Sequence, residues 1–282
     1  MDNFTGGIRY IGEVMTMRKK WFVKLILLSV IVLAAVGLDQ RMIVRRYTIE
    51  SDKLDTPVHL AVITDYHGCN YGNGLISAIA DLQPDAVLLV GDIFDDDMPW
   101  ARSEALVRNL AEHYPCYYVT GNHEYWSGRV DEICRIVTDV GATVLDAQNA
   151  VLTINGQSIN ICGIPDPESS LDSAAALTRA VEGIRPDAYT ILLAHRPEAI
   201  DTYASTGNFD LVVSGHAHGG QVRIPFLVNG LFSPDQGFFP QYAGGLYAVA
   251  DTTLIVSRGL ARESTRVPRI FNRPELVLVT IE

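Results

Sequence analysis

The chain has 282 residues, a formal net charge of −11 and an apolar fraction of 48%. Its length suits one large domain or two small ones, and its apolar fraction excludes a disordered chain. Four cysteines are too few for a disulfide scaffold. Residues 1–46 carry a net charge of +5, which leaves −16 for the remainder. The strongly acidic charge of residues 47–282 argues against nucleic-acid binding, which requires a basic surface.

An uncharged apolar run, residues 25–38, lies near the N-terminus between two basic clusters. With Trp21–Val23 it reaches 18 residues, interrupted only by Lys24, whose amine can extend to the lipid interface. We therefore predict a single-pass anchor in the cell membrane and not a buried core helix. The slight excess of basic residues before the run places the N-terminus inside and the body of the chain on the extracytoplasmic side.

A cleaved signal peptide is the alternative interpretation of this N-terminus. The basic start fits it, and Ala35–Gly37 offers a small-residue cleavage site. The apolar run is at the long end for a signal peptide, so we expect an uncleaved anchor. We divide the chain into a membrane anchor with juxtamembrane linker, residues 1–46, and a body, residues 47–282. The linker character continues to residue 57.

Beyond residue 57, short β-rich runs alternate with helical stretches. Near-continuous apolar runs between helices are typical of sheets covered on both faces. The pattern changes to a hairpin at Asn155-Gly156, since Asn-Gly between β runs favours a tight turn. The sequence therefore predicts an α/β fold, a two-sheet β-sandwich flanked by helices. The predicted strands are 59–64, 86–90, 116–120, 151–154, 158–162, 189–194, 211–214, 246–249, 253–257 and 275–281, and the predicted helices are 74–83, 99–113, 128–140, 172–184 and 197–205.

Five predicted strands are followed at once by residues that can bind a metal ion. The carboxyl ends of strands are where α/β folds form sites, and tight turns let side chains converge there. Five of the seven histidines lie in these segments, and imidazole, carboxylate and amide groups are ligands of divalent metals. The candidate ligands number seven, enough for two ions if one carboxylate bridges them. The segments are Thr64–His67, Gly91–Asp95, Gly121–Glu124, His195–Pro197 and Gly215–Gly219.

The series D-x-H, G-D-x-x-D, G-N-H-E, H and G-H-x-H resembles the calcineurin-like metallophosphoesterase superfamily over residues 58 to about 260. Gly219–Gln221, His195–Pro197 and Ser257–Leu260 resemble a bacterial, often membrane-anchored subgroup that includes phosphodiesterases and hydrolases of UDP-diacylglucosamine. The resemblance implies a catalytic domain over residues 47–282. It also implies an enzyme, a hydrolase that cleaves phosphoester bonds by means of a hydroxide bridging two metal ions.

The resemblance assigns a role to each motif residue. It implies two divalent ions, of Mn, Fe or Zn. It makes His123 a catalytic group that stabilises the phosphoryl oxygens or protonates the leaving group. The implied ligands are Asp65, His67 and His218 for the first ion and Asn122, His195 and His216 for the second, with Asp92 bridging the two.

Other charged residues near the motifs receive weaker interpretations. Asp95 is expected to support a ligand or to cap its turn. Asp96 and Asp97 are predicted to lie in a solvated loop. Arg196 and Arg258 are candidates for binding the substrate phosphate, because a guanidinium can bind phosphate bidentately; a surface salt bridge is the equally open alternative for both.

The expected reaction is hydrolysis of a phosphodiester or a pyrophosphate, and the membrane anchor makes a lipid-linked substrate one candidate. A phosphomonoesterase or protein phosphatase is the alternative within this class. A non-catalytic, membrane-tethered metal-binding scaffold is the alternative from another class, but it would have no use for His123. A structural zinc module fails because such sites are usually rich in cysteine. The sequence leaves open the substrate, the native metal, the membrane side and the oligomeric state.

Overall fold

The computed structural model of the chain describes residues 2–262 and 267–282, with side chains from residue 19 onward. It divides into two compact units, Met1–Asp39 and Gln40–Glu282. The first unit is a single helix, α1 (Asp2–Gly37). Within α1, Lys19–Gly37 has a mean hydropathy of 2.1 and is long and apolar enough to cross a membrane. The predicted apolar N-terminal helix is therefore confirmed.

The second unit contains two six-stranded sheets. The strands of the first sheet are β1 (Ile43–Ile49), β2 (Val58–Ile63), β3 (Ala86–Val90), β4 (Cys116–Val119), β5 (Thr143–Val144) and β14 (Glu275–Ile281). Their spatial order is β1-β14-β2-β3-β4-β5. The run from β2 to β5 is parallel, and only the β14–β2 pair is antiparallel.

The second sheet has the spatial order β12-β13-β9-β8-β7-β6 and is parallel from β13 to β7. Its strands are β6 (Gln148–Ile154), β7 (Gln157–Gly163), β8 (Tyr189–Leu193), β9 (Leu211–Ser214), β12 (Gly245–Val249) and β13 (Thr252–Val256). β6 and β7 form the predicted hairpin, with Ile154 opposite Gln157. A separate antiparallel pair joins β10 (Phe232–Ser233) and β11 (Gly237–Phe238).

Side-chain alternation along the strands builds the layers. In β2, Leu60 and Val62 lie in the core between the two sheets, whereas Ala61 and Ile63 lie in the core beneath the helices. The helices are α2 (Gly74–Leu82), α3 (Ala101–Ala111) and α5 (Val130–Asp139) on the first sheet, α6 (Ser173–Ala180) and α7 (Ile200–Ser205) on the second, and the short α4 (Asn122–Trp126). The predicted two-sheet sandwich with flanking helices is confirmed.

The linker prediction for residues 41–57 is wrong over Ile43–Ile49, which form β1. β1 pairs in parallel with β14 along its whole length, from Ile43 opposite Glu275 to Ile49 opposite Ile281. The second unit begins at Gln40, so the predicted division at residue 46 falls inside β1. The hydrogen-bonding partner of β1 comes from the far end of the chain, and no local pattern announces it.

Candidate metal centre

The predicted ligands lie where strands of both sheets end. The parallel strands of each sheet place their carboxyl ends at one edge, so short loops bring their side chains together. Asp65 and His67 follow β2, Asp92 follows β3 and Asn122 follows β4 in the first sheet, while His195 follows β8 and both His216 and His218 follow β9 in the second. The site is thus shared between the two sheets.

Five of these seven residues have left-handed backbone conformations. Such conformations are uncommon outside glycine and persist where the surroundings determine them, typically at functional sites. Backbone bonds hold two of them in place: Asp65 N–H donates to the Gly91 carbonyl at 3.1 Å and His67 N–H to the Asp92 carbonyl at 3.0 Å. The φ angles are +49° at Asp65, +48° at His67, +53° at Asp92, +63° at His216 and +46° at His218.

Two glycines in the motifs make room for ligands. A Cβ at Gly91 would lie 2.3 Å from Nδ1 of His195, and a Cβ at Gly121 would lie 2.3 Å from Oδ1 of Asp92. Real Cβ atoms do not approach other atoms so closely, so any larger residue would displace the ligand. The G-D and G-N-H-E motifs therefore need their glycines for packing around the site.

Six of the predicted ligands form two clusters that share Asp92. In the first cluster, Asp65, His67, Asp92 and His218 offer ligand atoms that all lie within 4.8 Å of one another. In the second, Asp92, His195 and His216 do the same, with Nε2 of His195 at 3.1 Å from Oδ2 of Asp92. Membership in both clusters places Asp92 where a bridging carboxylate would lie.

Several polar atoms of the predicted ligands are buried and have no hydrogen bond of good geometry among the described residues. Buried polar atoms without partners are rare in proteins, and their convergence on one point calls for a ligand. Nitrogen and carboxylate or amide oxygen together suit Mn, Fe or Zn. The donor set therefore fits the divalent ions that the motifs imply. The unpaired atoms are Oδ2 of Asp65, Nε2 of His67, Oδ2 of Asp92, Oδ1 of Asn122 and Nε2 of His195.

Electrostatics in the centre keep the carboxylates ionised. Burial acts to raise the pKa of Asp92, but the neighbouring His195 holds that pKa well below its usual range. The pKa of Asp65 is lowered in the same way, chiefly by His218 against the effect of burial. Burial acts to lower the pKa of His195, yet Asp92 raises it to about 10, so a bound cation would replace a proton there. Burial lowers the pKa of His218 to about 3, against the opposing effect of Asp65.

In three of the predicted ligand histidines, one ring nitrogen contacts an oxygen atom of a neighbouring residue. Such contacts fix the tautomer and the ring plane of a metal-binding histidine. The pairs are Nδ1 of His67 with Oδ2 of Asp95 at 2.7 Å, Nδ1 of His195 with the Val90 carbonyl at 2.9 Å, and Nε2 of His216 with Oδ2 of Asp235 at 2.8 Å.

Asp95 and Asp235 are the two side chains in this supporting set. Asp95 performs both expected tasks, because its second oxygen accepts the backbone N–H groups of Asp97 and Met98 at 2.8 and 2.9 Å. Asp235 was not predicted from the sequence. It is exposed and lies in the loop between β10 and β11, outside the predicted motifs.

His123 stands beside the centre with about a quarter of its side chain exposed. Its backbone N–H donates to Oδ1 of Asp92 at 3.0 Å, and its ring lies edge-on to His67 with centroids 4.5 Å apart. Nδ1 of His123 lies 2.5 Å from Oδ1 of Asp96, which is exposed in the loop before α3, as predicted, but also contacts the candidate catalytic histidine. The exposed ring of Trp126 lies 4.8 Å from His123 and forms an apolar wall next to it.

The two candidate phosphate-binding arginines are buried and paired with carboxylates. Arg196 donates to both oxygens of Asp166 at 2.8 and 3.0 Å and to Asp235 at 2.6 Å. Arg258 donates from Nε to Glu275 at 2.6 Å. The alternative role predicted for both arginines was a surface salt bridge. Each does form an ion pair, but the pair is buried. Both guanidinium groups therefore already have carboxylate partners within the protein.

Comparisons with known proteins agree with this geometry. A family model described as calcineurin-like phosphoesterase matches residues 58–220. An uncharacterized metallophosphoesterase of Helicobacter pylori strain J99 is 32% identical over 225 residues, which cover 77% of this chain and 58% of that protein. A Bos taurus protein named as a transmembrane protein with metallophosphoesterase domain is 31% identical over 220 residues, covering 73% of this chain and 48% of that protein. The chain thus spans about half the length of these two relatives.

Proposed function

Because the chain belongs to the calcineurin-like phosphoesterase family, hydrolases that act on phosphoester bonds, we propose that it hydrolyses a phosphodiester or pyrophosphate with two divalent ions. The observation that carries this proposal is the pair of ligand clusters sharing Asp92, with buried atoms left without partners. Asp65, His67 and His218 would hold one ion, Asn122, His195 and His216 the other, and Asp92 both. Bound there, divalent ions supply positive charge that polarises a phosphoryl group and lowers the pKa of water.

We propose that His123 protonates the leaving oxygen as the bond from phosphorus to that oxygen breaks. Asp96 accepts the N–H at Nδ1 of His123 and so leaves Nε2 as the atom that transfers the proton. Partial exposure lets the ring reach a substrate, while the bond from its backbone N–H to Asp92 fixes its distance from the ligands. Trp126 would pack against an apolar part of the leaving group.

We further propose that Lys19–Gly37 anchors the enzyme in the cell membrane as a single span, with the catalytic domain on the extracytoplasmic side. The length and apolar character of this segment support the proposal, as does the name of the Bos taurus relative. The side of the membrane follows from the basic residues that precede the span. A lipid-linked phosphoester is the substrate class that such an anchor brings close.

The test is hydrolysis of bis-(p-nitrophenyl) phosphate by the detergent-solubilised full chain with Mn²⁺. Asp92→Asn should reduce the rate to background, and His123→Ala should reduce it by about 10²–10⁴-fold, the usual contribution of a general acid. Asp139→Asn and His113→Ala, at exposed positions outside the site, are matched controls that should keep full activity. Full activity in Asp92→Asn would contradict the two-metal site.

Two further measurements separate the alternatives. If the chain hydrolyses p-nitrophenyl phosphate or a phosphopeptide faster than the diester, its activity is that of a phosphomonoesterase or protein phosphatase and not that of a phosphodiesterase. Metal analysis that finds two ions per chain, with no hydrolysis of a broad phosphoester panel, would indicate the membrane-tethered scaffold instead.

A further inference from the structure

A largely uncharged segment, residues 221–244, connects the turn of the predicted ligand His218 to the strand β12, and we call it the apolar insertion. It contains only two charged residues, Arg223 and Asp235. Large apolar side chains point outward from it: Phe226 is fully exposed and Leu227 is 82% exposed. Exposed apolar side chains gathered in one segment usually mark an interaction site. The other exposed large apolar side chains of this segment are Ile224, Phe232, Phe238 and Phe239.

The backbone of the insertion is tied to the domain. Leu231 N–H donates to the carbonyls of Gly220 and Val222 at 2.9 and 2.8 Å. Gly220 and Gly230 pack backbone against backbone, since a Cβ at Gly220 would lie 2.3 Å from the Cα of Gly230. Arg223 N–H donates to the Ile270 carbonyl at 2.9 Å. The exposed side chains are therefore presented by an ordered support.

Two of the exposed aromatic residues adopt left-handed backbone conformations. The φ angle is +68° at Phe226 and +57° at Phe239. Bulky side chains rarely adopt this conformation, and strained residues of this kind concentrate at functional positions. The rings of Phe232 and Phe238 meet edge to face across the β10–β11 pair, with centroids 5.4 Å apart. The outward aromatic surface is thus built at a conformational cost and is not an accident of a loose loop.

The insertion also reaches the metal centre. Asp235 lies between β10 and β11, and its Oδ2 contacts Nε2 of His216 at 2.8 Å and Nη1 of Arg196 at 2.6 Å. The strands that present Phe232 and Phe238 are therefore the ones that position a metal-binding histidine. Whatever covers the apolar surface would lie next to the site.

The composition of the insertion and its place in the chain favour a lipid surface as the occupant. The domain outside the insertion is strongly acidic, whereas both charges of the insertion are engaged within the protein. Aromatic and aliphatic side chains without charge suit the boundary between lipid headgroups and acyl chains. The candidate span Lys19–Gly37 belongs to the same chain, and residues 38–42 alone separate it from β1. Such a tether keeps a bilayer at high effective concentration around the domain.

We propose that the apolar insertion is a second membrane contact, which docks on the lipid surface through Phe226, Leu227, Phe238 and Phe239. Docking places the mouth of the metal centre at the bilayer. This contact is separate from the span, and its existence does not depend on the reaction that the centre performs.

The test is depth-dependent quenching with the full chain in phosphatidylcholine nanodiscs. An environment-sensitive fluorophore is attached to Phe226→Cys in a Cys134→Ser background, because the other three cysteines are buried. We expect a blue-shifted emission and at least twofold stronger quenching by doxyl-labelled lipid than for the same label at Asn208→Cys. Asn208 is an exposed matched control that precedes β9, at the end of that strand opposite the metal centre. Leu227→Cys repeats the measurement at the neighbouring position.

Equal quenching at positions 226 and 208 would overturn the proposal, as would a label that stays in water because the chain is not retained on the discs. A label at position 226 that is shielded from iodide but not quenched by doxyl lipid would also overturn it, since a second copy of the chain would then cover the surface. The readout is spectroscopic, so loss of phosphoesterase activity would leave this result unaffected.

Discussion

Glu124, the last residue of the G-N-H-E motif, holds the loops of the site together. Its buried carboxylate accepts the backbone N–H groups of Asp92, Ile93, Phe94 and Gly121 at 2.8–3.0 Å. These groups belong to the loops after β3 and β4, so one side chain fixes the distance between Asp92 and the Asn122–His123 turn. Burial raises the pKa of Glu124, and the Asp92 charge adds to that rise. The residue thus has a positioning role that needs no contact with a substrate.

Replacing Glu124 by alanine should lower the free energy of unfolding by about 3 kcal/mol or more, because four buried N–H groups lose their acceptor. Glu124→Gln keeps one acceptor oxygen and should lose less. The measurement is urea unfolding of the detergent-solubilised chain in EDTA, followed by tryptophan fluorescence. Glu112→Ala, at an exposed position, should change stability by no more than about 0.5 kcal/mol. Equal effects at positions 124 and 112 would refute the bracing role.

The sequence predicts those site residues that lie, along the chain, directly after the end of a strand. The predicted ligands follow buried apolar runs directly, so their positions were visible in the chain. Asp96 also follows such a run, but it lies in an exposed acidic stretch, and no local pattern indicates its contact with His123. Asp235 gave no signal at all, because its contacts with His216 and Arg196 join it to residues 19 and 39 positions away.

Among the helices and strands, the sequence predicts a tight turn from its local residues, but it does not predict which distant strands pair. The β6–β7 hairpin follows from Asn155-Gly156, whose φ angles of +51° and +80° suit the tight turn that joins twisted strands. Arg45 and Arg46 lie in β1, so this edge strand lacks the continuous apolar run that marks the buried strands. Its partner β14 lies at the opposite end of the chain. A single sequence carries no local sign of that pairing.

The backbone conformation of the β6–β7 turn implies that alanine substitutions at Gly156 and Gly74 affect stability differently. Gly156→Ala should lower the free energy of unfolding by about 1–2 kcal/mol, because an alanine at a φ of +80° is strained. Gly74→Ala, at the first residue of α2, should leave stability unchanged or raise it by up to about 1 kcal/mol. An added Cβ would meet no atom within 4 Å at either position, so the contrast isolates backbone conformation. Urea unfolding of both variants checks it, and equal losses would count against the hairpin turn.

For the whole molecule, the acidic balance and a phosphoester substrate are compatible because of where the charge lies. Part of the negative charge, that of Asp65 and Asp92, is buried at the edge where the two sheets meet. A divalent ion there would offset that charge and present a positive centre to a phosphate. The composition alone could exclude a basic nucleic-acid surface, but it could not show that the acidic groups converge. Convergence depends on the order of strands in both sheets.

Metal should therefore stabilise the whole fold, because each ligand set draws on both sheets and is assembled only in the folded chain. Free Mn²⁺ at 100 times its dissociation constant should add about 2.7 kcal/mol per site, and EDTA should remove this gain. Thermal unfolding of the detergent-solubilised chain measures it. Asp92→Asn should lose most of the shift, since Asp92 serves both clusters, whereas His123→Ala should keep it. Ca²⁺ prefers a shell of oxygen atoms and should stabilise less than Mn²⁺ at this histidine-rich centre. An equal shift in the Asp92→Asn variant and the unaltered chain would mean that Mn²⁺ binds elsewhere.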